Sequence, residues 1–236
     1  MRKSISMNLD SQILQYFNSL ACKNEFWFNL FNVCGNIEII RGGPVFACLI
    51  YVSFSNFSVN AKSKILSGLF GACICLIISL YCQSHLHLHL RPVFDGSLNI
   101  CNLLKWDKSD WGNRLYSFPS DTATIYFALS SIIFLQNRKL GLFCFLWTAF
   151  TVGMCRVALS IHYPSDIVGG LVLSFTIIYA FSQIKIAQKK IESLLIKYDP
   201  KFNLFNILIV LFCAEAYSLF PSILKIINFI IHRKFS

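Results

Sequence analysis

The stretch "CRVALSIHYPSDIVGG", residues 155–170, sets Arg156, His162 and Asp166 close together in the chain. An imidazole backed by a carboxylate is what a nucleophilic histidine needs. The acid holds one ring N–H, fixes the tautomer and stabilises the positive charge that develops. A second stretch, "SFPSDTATIYF" at 117–127, runs from Pro119, Ser120, Asp121 and Thr122 into apolar chain. Ser120 is a good helix N-cap, and Asp121 suits the positive end of the helix dipole. A third, "HLHLHLRPVFDG" at 85–96, carries Arg91. Two guanidinium forks, a hydroxyl and the N–H groups of a helix mouth are the partners a phosphoryl group needs around its oxygens. Singly, each residue has an ordinary structural reading. Arg91 and Arg156 snorkel to headgroups, His162 is a satisfied interfacial histidine, and Asp166 caps a helix that has Pro164 in its first turn. The chemical reading depends on the chain bringing all five to one place.

The 236 residues are 56% hydrophobic and 14% charged, with 23 phenylalanines, which is too little charge for a soluble domain of this length. The net charge of +10 raises nucleic acid as a partner. That needs basic residues clustered on a polar surface. Here they stand singly or in pairs between apolar runs, as membrane-flanking charges do, so no nucleic-acid partner is expected. The ten cysteines form no CxxC pair and read as small apolar residues, without a disulfide or zinc framework. Residues 1–20 contain no signal-peptide core, being interrupted by Asn8, Asp10, Gln12 and Gln15. The chain reads as an integral membrane protein.

Segments 42–61 and 65–84 are each 20 residues without Asp, Glu, Lys or Arg; 122–137 and 140–155 are 16 each, and 167–184 is 18. A bilayer core needs about 20 apolar residues, and snorkelling ends extend the two shorter runs. The fold expected is all-α, a polytopic bundle of five or six spans. Residues 1–41 form an interfacial amphipathic segment, 42–185 the transmembrane core, 186–201 a basic amphipathic segment on the cytoplasmic surface, and 202–236 a last span bent at Pro221. Lys62, Lys64, Arg138, Lys139, Lys185, Lys189, Lys190, Lys197 and Lys201 fall on one side of the membrane. Arg91, Lys105, Lys108, Arg114 and Arg156 fall on the other. That asymmetry makes the first side cytoplasmic, although Arg2, Lys3, Lys23 and Arg41 narrow it.

The linker 137–139 makes the third and fourth spans a tight antiparallel hairpin, each leg of 16 residues rising roughly 24 Å. Ser120, at the start of one leg, then lies at the depth of Arg156, at the end of the other. His162 and Asp166 follow directly, and the second span emerges on the same outer face before Arg91. Topology alone assembles Arg91, Ser120, Arg156, His162 and Asp166.

This combination resembles the type 2 phosphatidic acid phosphatases, membrane lipid phosphatases that share a core with vanadium haloperoxidases. The family's third motif, Ser-Arg, five residues, His, three residues, Asp, is present as Cys155-Arg156, His162 and Asp166. The second, Pro-Ser-Gly-His, is matched by Pro119-Ser120-Asp121-Thr122, and the first, Lys, six residues, Arg-Pro, by Ser84 and Arg91-Pro92. The resemblance implies that His162 is the nucleophile of a phosphohistidine intermediate, Asp166 its orienting partner, and Arg91, Ser120 and Arg156 the phosphate ligands. It implies no metal or other cofactor. The partners it implies are a lipid phosphate or diphosphate and the bilayer. The location expected is a bacterial inner membrane, with the site on the outer face.

The departures bear on mechanism. Ser84 lacks the lysine's charge. Asp121 adds a negative charge that Arg91 or Arg156 must offset. Thr122 replaces the histidine that in the family protonates the leaving group, and a hydroxyl is too weak an acid for that. Three explanations stand. A diphosphate substrate, such as a polyprenyl diphosphate, leaves as a stabilised phosphate and needs no acid. Alternatively His89, aligned with His85 and His87 in an extended segment, supplies the proton. Or the chain binds lipid without catalysis. Transfer of the phosphoryl group to another acceptor uses the same nucleophile as hydrolysis. A solute transporter is a more remote reading, since it calls for polar residues at mid-span. The loop 93–118, with Trp106, Trp111 and Tyr116, reads as an interfacial aromatic belt or as a lid over the headgroup.

Overall fold

The computed structural model describes residues 9–55, 58–110, 115–199, 201 and 203–217. Its helices are α1 (Leu9–Lys23), α2 (Glu25–Asn36), α3 (Glu38–Ser55), α4 (Val59–His85), α5 (Asp121–Gln136), α6 (Arg138–Thr148), α7 (Cys155–Ala158), α8 (Pro164–Gln183), α9 (Lys185–Tyr198) and α10 (Asn203–Tyr217). A π-helical turn, Ala149–Met154, joins α6 to α7 and makes Arg138–Ala158 one continuous helix. Among the described residues the only β-pairing is an isolated bridge between Leu90 and Tyr116. Among the described residues four helices are long and apolar enough to cross a membrane: Glu38–Ser55, Val59–His85, Arg138–Ala158 and Pro164–Gln183. The chain is an all-α polytopic membrane bundle.

α5 is the centre of that bundle. Every residue from Asp121 to Ile133 is buried, and α3, α4, α6 and α8 pack around it. A helix apolar on all faces is stable only when enclosed in this way. Asn137 ends α5 and starts α6, where its side chain accepts hydrogen bonds from the N–H groups of Lys139 and Leu140. At Gly141 a Cβ would collide with the backbone of Phe134, so the two helices approach at a point only glycine allows. This is the expected hairpin. It brings Ser120 and Arg156 to one end of the bundle.

Three features depart from the sequence reading. First, α4 begins at Val59, so Lys62 and Lys64, expected in a linker, sit in its opening turns. The Lys62 ammonium is buried, 3.0 Å from the Ser53 carbonyl and 4.3 Å from the centre of the Phe205 ring. Second, α1 is tied to the loop after α4, the end of α7 and the start of α8. Buried Asn18 donates to the carbonyls of Ala158 (3.1 Å) and Cys101 (3.2 Å), and accepts from the Cys101 N–H (2.9 Å). The Asp10 carboxylate accepts from the Ser165 N–H (2.9 Å) and hydroxyl (2.6 Å). Third, Cys22 and Cys101 form a disulfide, which corrects the reading that none of the cysteines is paired. The two lie 79 residues apart, so no local spacing announces them; the Asn18 contacts bring them together. The stretch 218–231, read as the second half of a bent span, lies outside the described residues, as do Trp111 and Arg114.

Candidate active site

Between α7 and α8 the chain turns tightly through Leu159–Tyr163, with Ser160 at a positive φ of 57°. This turn inserts His162 into the bundle, where it is fully buried. Its Nδ1 lies 3.1 Å from the Ser117 carbonyl and 3.5 Å from Asp166 Oδ2, and its Nε2 lies 3.2 Å from Arg91 Nη1. A guanidinium only donates, so Nε2 is the acceptor and Nδ1 carries the proton. Burial pushes the imidazole pKa down from 6.5 to about 4; Asp166 opposes that shift, and Arg91 and Arg156 add to it. The ring is therefore neutral at pH 7, with its Nε2 lone pair directed at a guanidinium. Asp166 is held by its own helix, Oδ2 accepting the Tyr163 N–H at 2.8 Å in the first turn of α8.

Arg91 is 1% exposed. Its Nη1 also reaches the Ile161 carbonyl (3.4 Å), and Nη2 reaches Gln83 Oε1 (3.5 Å). Gln83, fully buried near the end of α4, donates through Nε2 to the Pro119 carbonyl at 2.7 Å, beside Ser79 Oγ at 3.0 Å. Gln83 thus links Arg91 to the entrance of α5. The sequence reading passed over it; the available signal was a lone amide at the end of an apolar run, next to position 84. The Ser84 hydroxyl bonds back to the Leu80 carbonyl of its own helix (2.9 Å).

Ser120 caps α5, its Oγ accepting the Ala123 N–H at 3.3 Å, and its own N–H reaches the Asp166 carbonyl at 3.1 Å. The mouth of α5 is thereby pinned to the start of α8. The Thr122 N–H is taken by Asp121 Oδ1 (2.8 Å), and the Thr122 hydroxyl lies 3.4 Å from the same oxygen. The helix mouth presents its dipole and the Ser120 hydroxyl, while two N–H groups expected in the cradle are used in capping. Arg156, 9% exposed, donates no hydrogen bond to any described residue, and its Nε is buried without a partner. Arg41, Asp121 and Arg91 are the charges that bear on it.

The histidines of "HLHLHL" do not line up. His85 ends α4 with its ring on Tyr81 (4.4 Å), and His87, at a φ of 48°, packs against Tyr116 (4.4 Å). His89 places Nδ1 3.6 Å from Asp166 Oδ1, with its ring edge-on to Phe118 and Tyr163. It approaches the carboxylate partner of His162 at the oxygen that does not face the His162 ring. There it lines a cavity of about 270 Å³, together with Asp10, Asp95 and Tyr163. The Tyr163 hydroxyl donates to Asp95 at 3.0 Å.

Residues 89–190 match the family model of the PAP2 superfamily. The lipid A 4'-phosphatase of Bacteroides thetaiotaomicron is 26% identical over 179 residues, 70% of this chain and 72% of that protein. The bacitracin transport permease protein BcrC of Bacillus licheniformis is 41% identical over 59 residues, 24% of this chain and 28% of that protein. The undecaprenyl-diphosphatase BcrC of Bacillus subtilis is 37% identical over 65 residues, 28% of this chain and 33% of that protein. The match therefore spans about a third or less of either BcrC protein. No solved structure matches the chain significantly.

Proposed function

We propose, from the PAP2-superfamily segment at residues 89–190, that this membrane protein is a lipid phosphatase. In this reading it removes the terminal phosphate of a lipid diphosphate through His162. One observation carries the proposal. A buried, neutral imidazole offers Nε2 to Arg91 at 3.2 Å, while Ser117 and Asp166 hold its Nδ1 proton.

In the first step the Nε2 lone pair attacks the terminal phosphorus. The bond from phosphorus to the bridging oxygen breaks, and its electron pair leaves with the lipid monophosphate. Arg91 turns its N–H groups from Nε2 to the phosphoryl oxygens, Arg156 and the Ser120 hydroxyl take the others, and Asp166 steadies the charge on the ring. Water then attacks the phosphohistidine, the P–N bond breaks and its electron pair returns to Nε2.

The diphosphate preference rests on position 122. Its hydroxyl is turned to Asp121 and His89 to Asp166 Oδ1, so in this reading neither protonates a departing alkoxide. A phosphate leaving group is already a stabilised anion. Of the relatives, one is named an undecaprenyl-diphosphatase and another a lipid A 4'-phosphatase. The outward orientation is supported by the lysine- and arginine-rich opposite face. It is also supported by the Cys22–Cys101 disulfide on the site's side, since such bonds persist in oxidising compartments.

The test is turnover of a panel of lipid mono- and diphosphates by the purified protein, with and without an acceptor lipid, against His162→Ala. Faster release of phosphate from diphosphates, lost in the variant, supports the proposal. Equal rates on phosphatidic acid would reject the diphosphate preference. Product appearing only with acceptor would make the chain a transferase.

A further inference from the structure

Arg41 is a charged residue in the first turn of a membrane-spanning helix, α3, and lies outside every motif discussed above. An arginine at a span end ordinarily reaches out to the headgroups, but this one stays buried in the bundle. It is 7% exposed and forms no ion pair with a described residue. Its Nη1 donates to the Gly35 carbonyl at 3.2 Å, and its guanidinium carbon stands 5.8 Å from the centre of the Tyr126 ring. Gly35 packs directly on Cys155, where an added Cβ would lie 3.1 Å from the Cys155 Cβ, and the next residue is Arg156. The Arg41 guanidinium is thus held on the backbone that packs against Cys155, and its charge bears on Arg156.

Arg41 Nε, Arg156 Nε and the Tyr126 hydroxyl are all buried without a close hydrogen-bond partner, and both guanidiniums bear on that hydroxyl. The hydroxyl occupies the space a Cβ at Gly42 would need, which fixes it against α3 next to Arg41. Two buried like charges with unmet donors are unfavourable by themselves and become favourable around an anion. Of the carboxylates nearby, Asp121 bears on Arg156, while Glu38 is exposed on the first turn of α3. Two buried carboxylates, Asp121 and Asp166, stand among three buried guanidiniums, Arg41, Arg91 and Arg156.

The packing carries the inference: the start of α3 holds Arg41 over Tyr126, and Gly35 sets the preceding helix against Cys155, next in the chain to Arg156. The charges of Arg91 and Arg156 bear on His162, whereas that of Arg41 bears on Arg156 and Tyr126. Arg156 therefore stands between the nucleophile and Arg41. The geometry points to a second phosphoryl subsite, made by Arg41, Arg156 and the Tyr126 hydroxyl. It takes the phosphate of a lipid diphosphate that stays with the lipid, while the first subsite presents the terminal phosphate to His162. Charge stabilisation by Arg41 then does for the leaving phosphate what protonation by a histidine at position 122 would do, and supplies the cation absent at Ser84. This rests on the diphosphate reading of the same site.

The experiment uses the full chain in detergent, with thermal protection by inorganic phosphate and by pyrophosphate, for wild type and Arg41→Gln. Losing one charge-assisted contact pair is expected to weaken pyrophosphate protection about tenfold or more, and phosphate protection by less than about threefold. Equal weakening for both probes, or for neither, overturns the subsite. If Arg41→Gln does not fold, Arg41→Lys is measured in its place: a pyrophosphate-selective loss sustains the proposal, and unchanged protection overturns it. Lipid turnover in the same preparations separates the two readings. Arg41-dependent pyrophosphate binding without lipid diphosphate hydrolysis keeps the subsite and rejects the function.

Discussion

Replacing Asp166 with Asn tests the site where its geometry is most specific. The carboxylate does two separable jobs. Oδ2 accepts the Tyr163 N–H at 2.8 Å, which the amide oxygen of Asn also does, so the first turn of α8 survives. The same oxygen lies 3.5 Å from His162 Nδ1, where in the proposed reaction its charge would support the imidazolium-like ring of a phosphohistidine. At 3.5 Å and an effective dielectric of about 20, that attraction is roughly 5 kcal/mol, an upper limit. At about 1.4 kcal/mol per decade this limits the loss in kcat to about three orders of magnitude. The Ser117 carbonyl, 3.1 Å from Nδ1, still holds the tautomer, so the expected loss is smaller, about a hundredfold. The assay is phosphate release from a lipid diphosphate in detergent, with melting followed in parallel. KM is expected to change little and Tm by a few degrees at most. A kcat within about threefold of wild type would refute the orienting role. So would a large fall in Tm that accounts for the lost activity.

Other expectations follow from the same contacts. Because His162 is neutral in the folded chain with a pKa of about 4, against 6.5 in an exposed chain, the unfolded state binds the extra proton between those values. Stability is therefore lost as pH falls from 6.5 toward 4, and the Tm of wild type should drop more steeply over that range than that of His162→Ala; parallel slopes would contradict the buried neutral ring. Gln83→Leu leaves the Pro119 carbonyl without its amide partner and Arg91 without a brace, at a cost of about 1–3 kcal/mol in stability and a rise in KM; an unchanged KM would show that Arg91 needs no support from α4. Mass spectrometry of unreduced protein should find Cys22 and Cys101 joined, with the remaining described cysteines free; two free thiols in protein isolated from its native membrane would place the site on a reducing face.

The helices that cross the membrane were legible because their signal is bulk hydrophobicity, and the hairpin because a three-residue linker leaves two helices no alternative. That pair of facts was enough to bring Ser120 to the level of Arg156, and the third-motif spacing did the rest for His162 and Asp166. What stayed hidden depends on side chains acting across elements. Gln83 is an unremarked amide until α4 is seen to end beside Pro119 and Arg91. The disulfide joins a helix to a loop through the polar grip of Asn18, which no periodicity encodes. His89 shows the converse error. Alternation suggested three histidines on one face, but α4 runs on to His85 and the backbone turns to positive φ at His87, so only His89 meets Asp166. Arg41 counted in the sequence only as a charge that narrowed the membrane asymmetry. In the fold it is a buried guanidinium over the Tyr126 ring, and Ser84 is bonded to its own helix. Position 84 carries no charge while Arg41 is a buried cation one helix away, and the proposed second subsite would account for both.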